Sequence, residues 1–82
     1  MHKGAHEMER YKNLAGDSGV TAYELFNGGI VVQFQDGWKY EYTSQSAGPA
    51  AIATMHRLAM SGRGLSGFIS VNVRKAYSRK FR

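Results

Sequence analysis

The stretch Val20 to Thr43, VTAYELFNGGIVVQFQDGWKYEYT, decides the fold. It divides into three runs of strand-forming residues separated by two turn signals. The first run, Val20 to Phe26, ends at Asn27-Gly28-Gly29, where Asn and Gly tolerate positive φ and mark a hairpin. The second, Ile30-Val31-Val32-Gln33-Phe34-Gln35, alternates as a half-buried strand does, with Ile30, Val32 and Phe34 on one face. After Asp36-Gly37, the third run, Trp38-Lys39-Tyr40-Glu41-Tyr42-Thr43, alternates again with its aromatics on one side.

Loop length selects the register. A two-residue turn at Asp36-Gly37 would set Phe34 against Lys39 and Val32 against Glu41, mixing core with charge. A three-residue loop, Gln35 to Gly37, pairs Phe34 with Trp38, Val32 with Tyr40 and Ile30 with Tyr42. Directly opposed residues share a face, so this register collects the apolar side chains. It is a type I turn followed by a G1 bulge, and Gly37 falls where a left-handed φ is needed. A two-residue Asn27-Gly28 loop aligns Leu25 with Ile30 and Tyr23 with Val32 by the same parity. The expected core face is Tyr23, Leu25, Ile30, Val32, Phe34, Trp38, Tyr40 and Tyr42. Phe26 and Val31 fall on the opposite face with Gln33, Lys39, Glu41 and Thr43, a mixed-charge surface suited to a protein contact rather than to nucleic acid.

Beyond Thr43 the pattern turns helical. Ser46 or Gly48 caps a helix with Pro49 in its first turn, and Ile52, Met55, Leu58 and Ala59 form its apolar stripe. Thr54, Arg57 and Ser61 lie outside the stripe, and Gly62 stops the helix as its C′ residue. Ser66 caps a second helix, with Leu65, Ile69, Val73 and Ala76 inward and Arg74, Lys75, Ser78 and Arg79 outward. The expected class is α+β: a three-stranded antiparallel meander followed by two helices on one face, in the order β-β-β-α-α.

Eighty-two residues hold one domain. Residues 1–10 read as a flexible leader and 11–82 as the domain. His2 and His6 in the leader lack the further ligands that a metal site requires. Cysteine is absent, which excludes disulfides and thiolate metal sites. No run approaches the ~20 apolar residues of a membrane span, and MHKGAHEMER has no apolar signal-peptide core, so a cytoplasmic protein is expected.

Charge is unevenly spread. All six acids lie in the first 41 residues beside four bases, whereas the last 41 carry seven bases and no acid. Arg57, Arg63, Arg74, Lys75, Arg79, Lys80 and Arg82 thus mark an anionic partner. Complementing a helix dipole accounts for some of these cations but leaves the missing acids unexplained.

Several of these residues together resemble a known family. Gly19-Val20-Thr21-Ala22-Tyr23, Val32-Gln33-Phe34 before Asp36-Gly37, Tyr40-Glu41-Tyr42, Ser61-Gly62-Arg63, and Phe68-Ile69 before Arg74 and Tyr77 are similar to the motifs of the KTSC domain. That small bacterial domain also occurs at the C-terminus of some lysyl-tRNA synthetases. The resemblance covers Ser18 to Tyr77, roughly three-quarters of the chain, and weakens at Ser46-Ala47-Gly48-Pro49 and Gly64-Leu65-Ser66-Gly67. It implies an α+β fold; the family has no settled activity, and nucleic-acid binding, to RNA in preference to DNA, is the function conjectured for it.

Gly62-Arg63-Gly64-Leu65-Ser66-Gly67 satisfies GxGxxG, but it follows a helix rather than a strand and no ribose-binding acid lies downstream, so no nucleotide cofactor is expected. Two readings stand: a helix–helix turn in which Gly62 and Gly64 supply unusual φ, or an anion site made by the second helix's amides with Arg63. His56 is the one histidine outside the leader and has no carboxylate partner in its helix, so catalysis is not expected.

The tail from Arg74 to Arg82 carries five bases interleaved with Tyr77 and Phe81. As a helix it lines up Lys75 with Arg79, and Ser78 with Arg82, for phosphate contact. A solvated helix end and an anionic lipid surface are its competing readings. The function expected is a non-catalytic nucleic-acid-binding module using Arg57, Arg63, Arg74, Lys75, Arg79, Lys80 and Arg82. The alternative is a phage- or plasmid-borne regulator or inhibitor that binds an acidic surface of a host protein complex.

Overall fold

The computed structural model describes residues 8–82. The predicted meander is present in the predicted register. Strands β2 (Val20–Phe26), β3 (Gly29–Phe34) and β4 (Lys39–Thr43) run antiparallel, with Leu25 opposite Ile30, Tyr23 opposite Val32, Val32 opposite Tyr40 and Ile30 opposite Tyr42. Gly37 has φ 90° and its N–H donates to Phe34 O at 2.9 Å, while Phe34 N–H donates to Trp38 O at 3.0 Å. These are the marks of the three-residue loop that gathers the apolar face.

The sheet is wider than the sequence suggests. Two short strands flank the meander, β1 (Glu9–Arg10) against β2 and β5 (Arg79–Phe81) against β4, giving five strands in chain order. The leader read as residues 1–10 therefore reaches the sheet at Glu9 and Arg10, and Tyr11 is buried in the core. His2 and His6 lie outside the described residues. The three-stranded expectation is corrected to five strands, and the reason is the same at both edges. Strands of two and three residues have too short an alternation to stand out, and tertiary pairing holds them in place.

A short helix α1 (Ser44–Ala47) follows β4. Thr43 caps it, accepting from Ser46 N–H at 3.1 Å, while Ser46 Oγ returns a contact to Thr43 N–H at 3.0 Å. Gly48 then caps α2 (Pro49–Ser61), with Pro49 in the first turn, where its missing N–H leaves nothing unpaired. The stripe Ile52, Met55 and Ala59 is buried, and Gly62 ends the helix at φ 84°.

The second helix departs from expectation. It begins at Leu65 after Gly64 (φ 84°), not at a Ser66 cap, and runs as α3 (Leu65–Phe68) into a π turn (Ile69–Val73). That turn closes when Arg74 N–H donates to Ile69 O at 2.7 Å. Helix then stops, so Ala76 to Arg79 are not helical and the tail continues as a turn and β5. The spacing of Leu65, Ile69 and Val73 is helical and all three are buried. The chain leaves the helix at Arg74, whose positive φ breaks it, and Arg79–Phe81 then take the free edge of β4.

The core lies between sheet and helices. Ile30, Val32 and Tyr42 from the sheet meet Ile52, Met55, Ala59, Leu65, Ile69 and Val73. His56 Nε2 donates to Gly29 O at 2.7 Å, tying α2 to the first hairpin, since a carbonyl can only accept. On the outer face, Phe26 lies across Gly29. A Cβ at Gly29 would press into that ring and come within 2.7 Å of Tyr42 O. Gly29→Ala is therefore expected to destabilise the fold by about 1–3 kcal/mol through overpacking, read as a lower denaturation midpoint with an unchanged slope. No helix among the described residues is long and apolar enough to cross a membrane.

Candidate nucleic-acid interface

The C-terminal edge of the sheet holds most of the aromatic residues and much of the positive charge. Pairing of β5 with β4 sets Lys80 opposite Tyr40, Phe81 opposite Lys39 and Arg79 opposite Glu41. Because side chains alternate, Lys80 joins Trp38, Tyr40 and Tyr42 on the helix side, while Arg79 and Phe81 go to the outer face. Lys80 Nζ sits 4.7 Å from the Trp38 ring centroid and 5.4 Å from that of Tyr40, and the Arg82 guanidinium lies 4.6 Å from Trp38. Trp38 is therefore not part of the core as expected. It is half-buried and serves as a ring on which two cations rest.

Between this edge and the end of the π turn is a cleft of about 510 Å³. Phe34, Tyr40, Tyr42, Ile69 and Tyr77 supply its apolar walls, and Arg74, Lys75 and Lys80 supply positive charge, with Asp36 and Ser70 also lining it. The rings brace one another edge to face. Tyr40 meets Phe34 at 5.4 Å and Tyr77 at 5.1 Å, and Tyr42 meets Tyr77 at 6.3 Å between centroids. Such contacts contribute about 0.5–1.5 kcal/mol each beyond area burial and hold the rings in fixed orientations.

Tyr42 is 1% exposed, and its hydroxyl donates to Arg74 O at 3.1 Å, so the wall of the cleft and its cationic lip are joined. Burial pushes the Tyr42 phenol up to about 12, with Tyr40 and Tyr77 adding to the effect. Burial also raises Tyr23, followed by the charge of Glu9. For both groups the folded state holds its proton more tightly than the unfolded state, so their stabilising contribution is complete below pH about 10 and is lost as pH rises towards the folded value. Alkaline denaturation is thus expected to begin near pH 10, and Tyr42→Phe should make stability less dependent on pH between about 10 and 12, measured by urea titration at each pH.

Comparison with protein-family models, curated proteins and solved structures finds no match to this chain. The reading of the site rests on its own geometry.

That geometry separates the seven cations picked out from the sequence. Arg74, Lys75 and Lys80 come together around the cleft, and Arg82 lies beside it on Trp38, its Nη2 donating to Asp36 O at 3.0 Å. Arg79 turns to the outer face, where its Nε donates to Glu41 Oε1 at 3.1 Å and Ser78 Oγ donates to Glu41 Oε2 at 2.7 Å. Arg57 is exposed on α2. Arg63 lines a different cleft of about 330 Å³ with Tyr11, Asn13, Ser18 and Ser66. The basic C-terminal helix is absent, and with it the i,i+4 pairings of Lys75 with Arg79 and Ser78 with Arg82, because the tail is an edge strand.

The glycine-rich segment forms the turn between α2 and α3, and its Arg63, Gly64, Ser66 and Gly67 line the smaller cleft. Gly62 and Gly64 both have φ 84°, and Leu65 N–H, the first amide of α3, already donates to Tyr11 Oη at 3.2 Å. Among the described residues no three side chains are grouped to hold a metal ion. Sequence alone leaves Tyr40 and Tyr42 two roles, packing in the core, which the register favours, or stacking on unpaired bases, and it gives Asp36 no role in a site. Tyr42 is in the core, while Tyr40 does both jobs, packing on the core and facing the cleft. Its alternation with Glu41 and Tyr42 was visible, but the cleft depends on β5, whose place in the sheet was not.

Proposed function

We propose that this protein is a non-catalytic module that binds single-stranded nucleic acid, RNA in preference to DNA, through the cleft beside β5. The observation that carries this reading is the meeting of Tyr40 and Tyr77 with Arg74, Lys75 and Lys80 around one opening. Aromatic rings accept unpaired bases whatever their sequence, and cations beside them track phosphates. A duplex hides its base faces, so an aromatic cleft favours single strands. The acid-free C-terminal half supports the same reading.

The test is a titration of labelled single-stranded RNA, single-stranded DNA and duplex DNA at about 50 and about 200 mM salt. The expected result is micromolar or tighter binding of RNA that weakens steeply with salt, with duplex DNA weakest. Absence of binding at the lower salt overturns the reading. Co-isolation of one defined protein after nuclease treatment would then favour an acidic protein surface as the partner.

A further inference from the structure

Arg74 has φ 36° and ψ −102°, a conformation that L-residues rarely adopt. Ala76 N–H donates to Val73 O at 2.6 Å, so Val73 to Ala76 form a tight turn with Arg74 in its first central position. These angles approach a type II′ turn, where that position normally belongs to glycine. The strain is held from several sides. Arg74 N–H closes the π turn on Ile69 O, Tyr42 Oη donates to Arg74 O, and Ser78 N–H anchors the following segment to Glu41 O at 2.6 Å. The chain has ten glycines, six of them at positive φ among the described residues, yet an arginine occupies this position. Strain maintained at the lip of a cleft indicates that the side chain is wanted there.

We propose that the cleft receives one unpaired nucleotide, its base entering against Tyr40 and Tyr77 and its phosphate held at the lip by Arg74 with Lys75. This rests on the nucleic-acid reading and adds the size and orientation of the unit bound. The volume of about 510 Å³ suits a small organic ligand. The walls Phe34, Tyr40, Tyr42, Ile69 and Tyr77 are apolar enough to take a base but not a phosphate, which must stay with the exposed cations. The guanidinium can grip a phosphate through two parallel N–H donors, whereas Lys75 acts as a point charge.

The experiment uses a labelled single-stranded RNA bound to the protein, with a nucleoside 5′-monophosphate, ribose 5-phosphate and inorganic phosphate as competitors. It is repeated with Arg74→Gly and Arg74→Ala. The monophosphate is expected to displace the RNA at least tenfold more effectively than ribose 5-phosphate or phosphate. Arg74→Gly is expected to melt several degrees higher than the parent, because glycine fits the turn, and to bind the RNA at least tenfold more weakly. Arg74→Ala should lose the same affinity without the gain in melting temperature. RNA binding that no monophosphate displaces, or an Arg74→Gly variant that binds as the parent does, overturns the single-nucleotide pocket while the nucleic-acid reading stands. Failure of the parent to bind RNA at all overturns that reading itself.

Discussion

Replacing Arg74, Lys75 and Lys80 together by Ala is expected to lower affinity for single-stranded RNA on the order of a hundredfold at low salt and to flatten its salt dependence by about two units. Each phosphate contact on a single strand contributes about 0.7 to the slope of log affinity against log salt, and three contacts are removed. The cleft chooses these three. Arg79, which sequence spacing would have included, is engaged by Glu41 on the outer face, so Arg79→Ala alone should leave the slope almost unchanged. Arg57→Ala with Arg63→Ala serves as a second control, since both lie away from the cleft. All three cleft cations are exposed, and their loss should leave the melting temperature near that of the parent. An unchanged slope in the triple variant would remove the cleft from any account of binding.

The largest effect on stability is expected at Leu65. Its side chain is fully buried, and it begins α3 directly after Gly64. Its N–H donates to Tyr11 Oη, so this one residue joins the helical layer to the segment that leads from β1 to β2. Leu65→Ala should cost about 2–5 kcal/mol from lost burial and the cavity left behind. A domain of this size has a total stability of about 4–12 kcal/mol, so that is a large share of it. Thermal melting followed by circular dichroism should show a midpoint lowered by more than about 10 °C. A loss below about 1 kcal/mol would mean that α3 collapses into the space and is not rigidly held.

Those two sites mark where the sequence was legible and where it was not. The meander could be read residue by residue because its information is local. Asn27-Gly28 and Asp36-Gly37 fix loop lengths, loop length fixes parity, and only one parity keeps Val32 with Tyr40 and Ile30 with Tyr42. Helix α2 was equally open, with Gly48-Pro49 at one end and Gly62 at the other. Leu65, Ile69 and Val73 were correctly placed inward, but helical spacing carried on to Ala76 gave no sign of a stop. The stop comes from the widened π turn and from Arg74 at positive φ, and nothing in the local sequence marks arginine for a position that glycine normally fills. The tail then resolves into β5 through groups about forty residues away: Glu41 for Arg79, Trp38 and Tyr40 for Lys80. Charge counting could find the cations but not divide them between two faces of a sheet. The cleft followed from that division, so it too was hidden.

The most direct measurement is a backbone-amide NMR titration of the protein with a short single-stranded RNA. The expected result is chemical-shift change concentrated at Arg74 to Tyr77, at Tyr40 and at Lys80, with Arg57, Arg63 and the outer-face residues Val31 and Gln33 unmoved. Shifts centred instead on Arg63 and Ser66, or on the outer face around Arg10 and Glu24, would contradict the assignment of binding to the cleft beside β5.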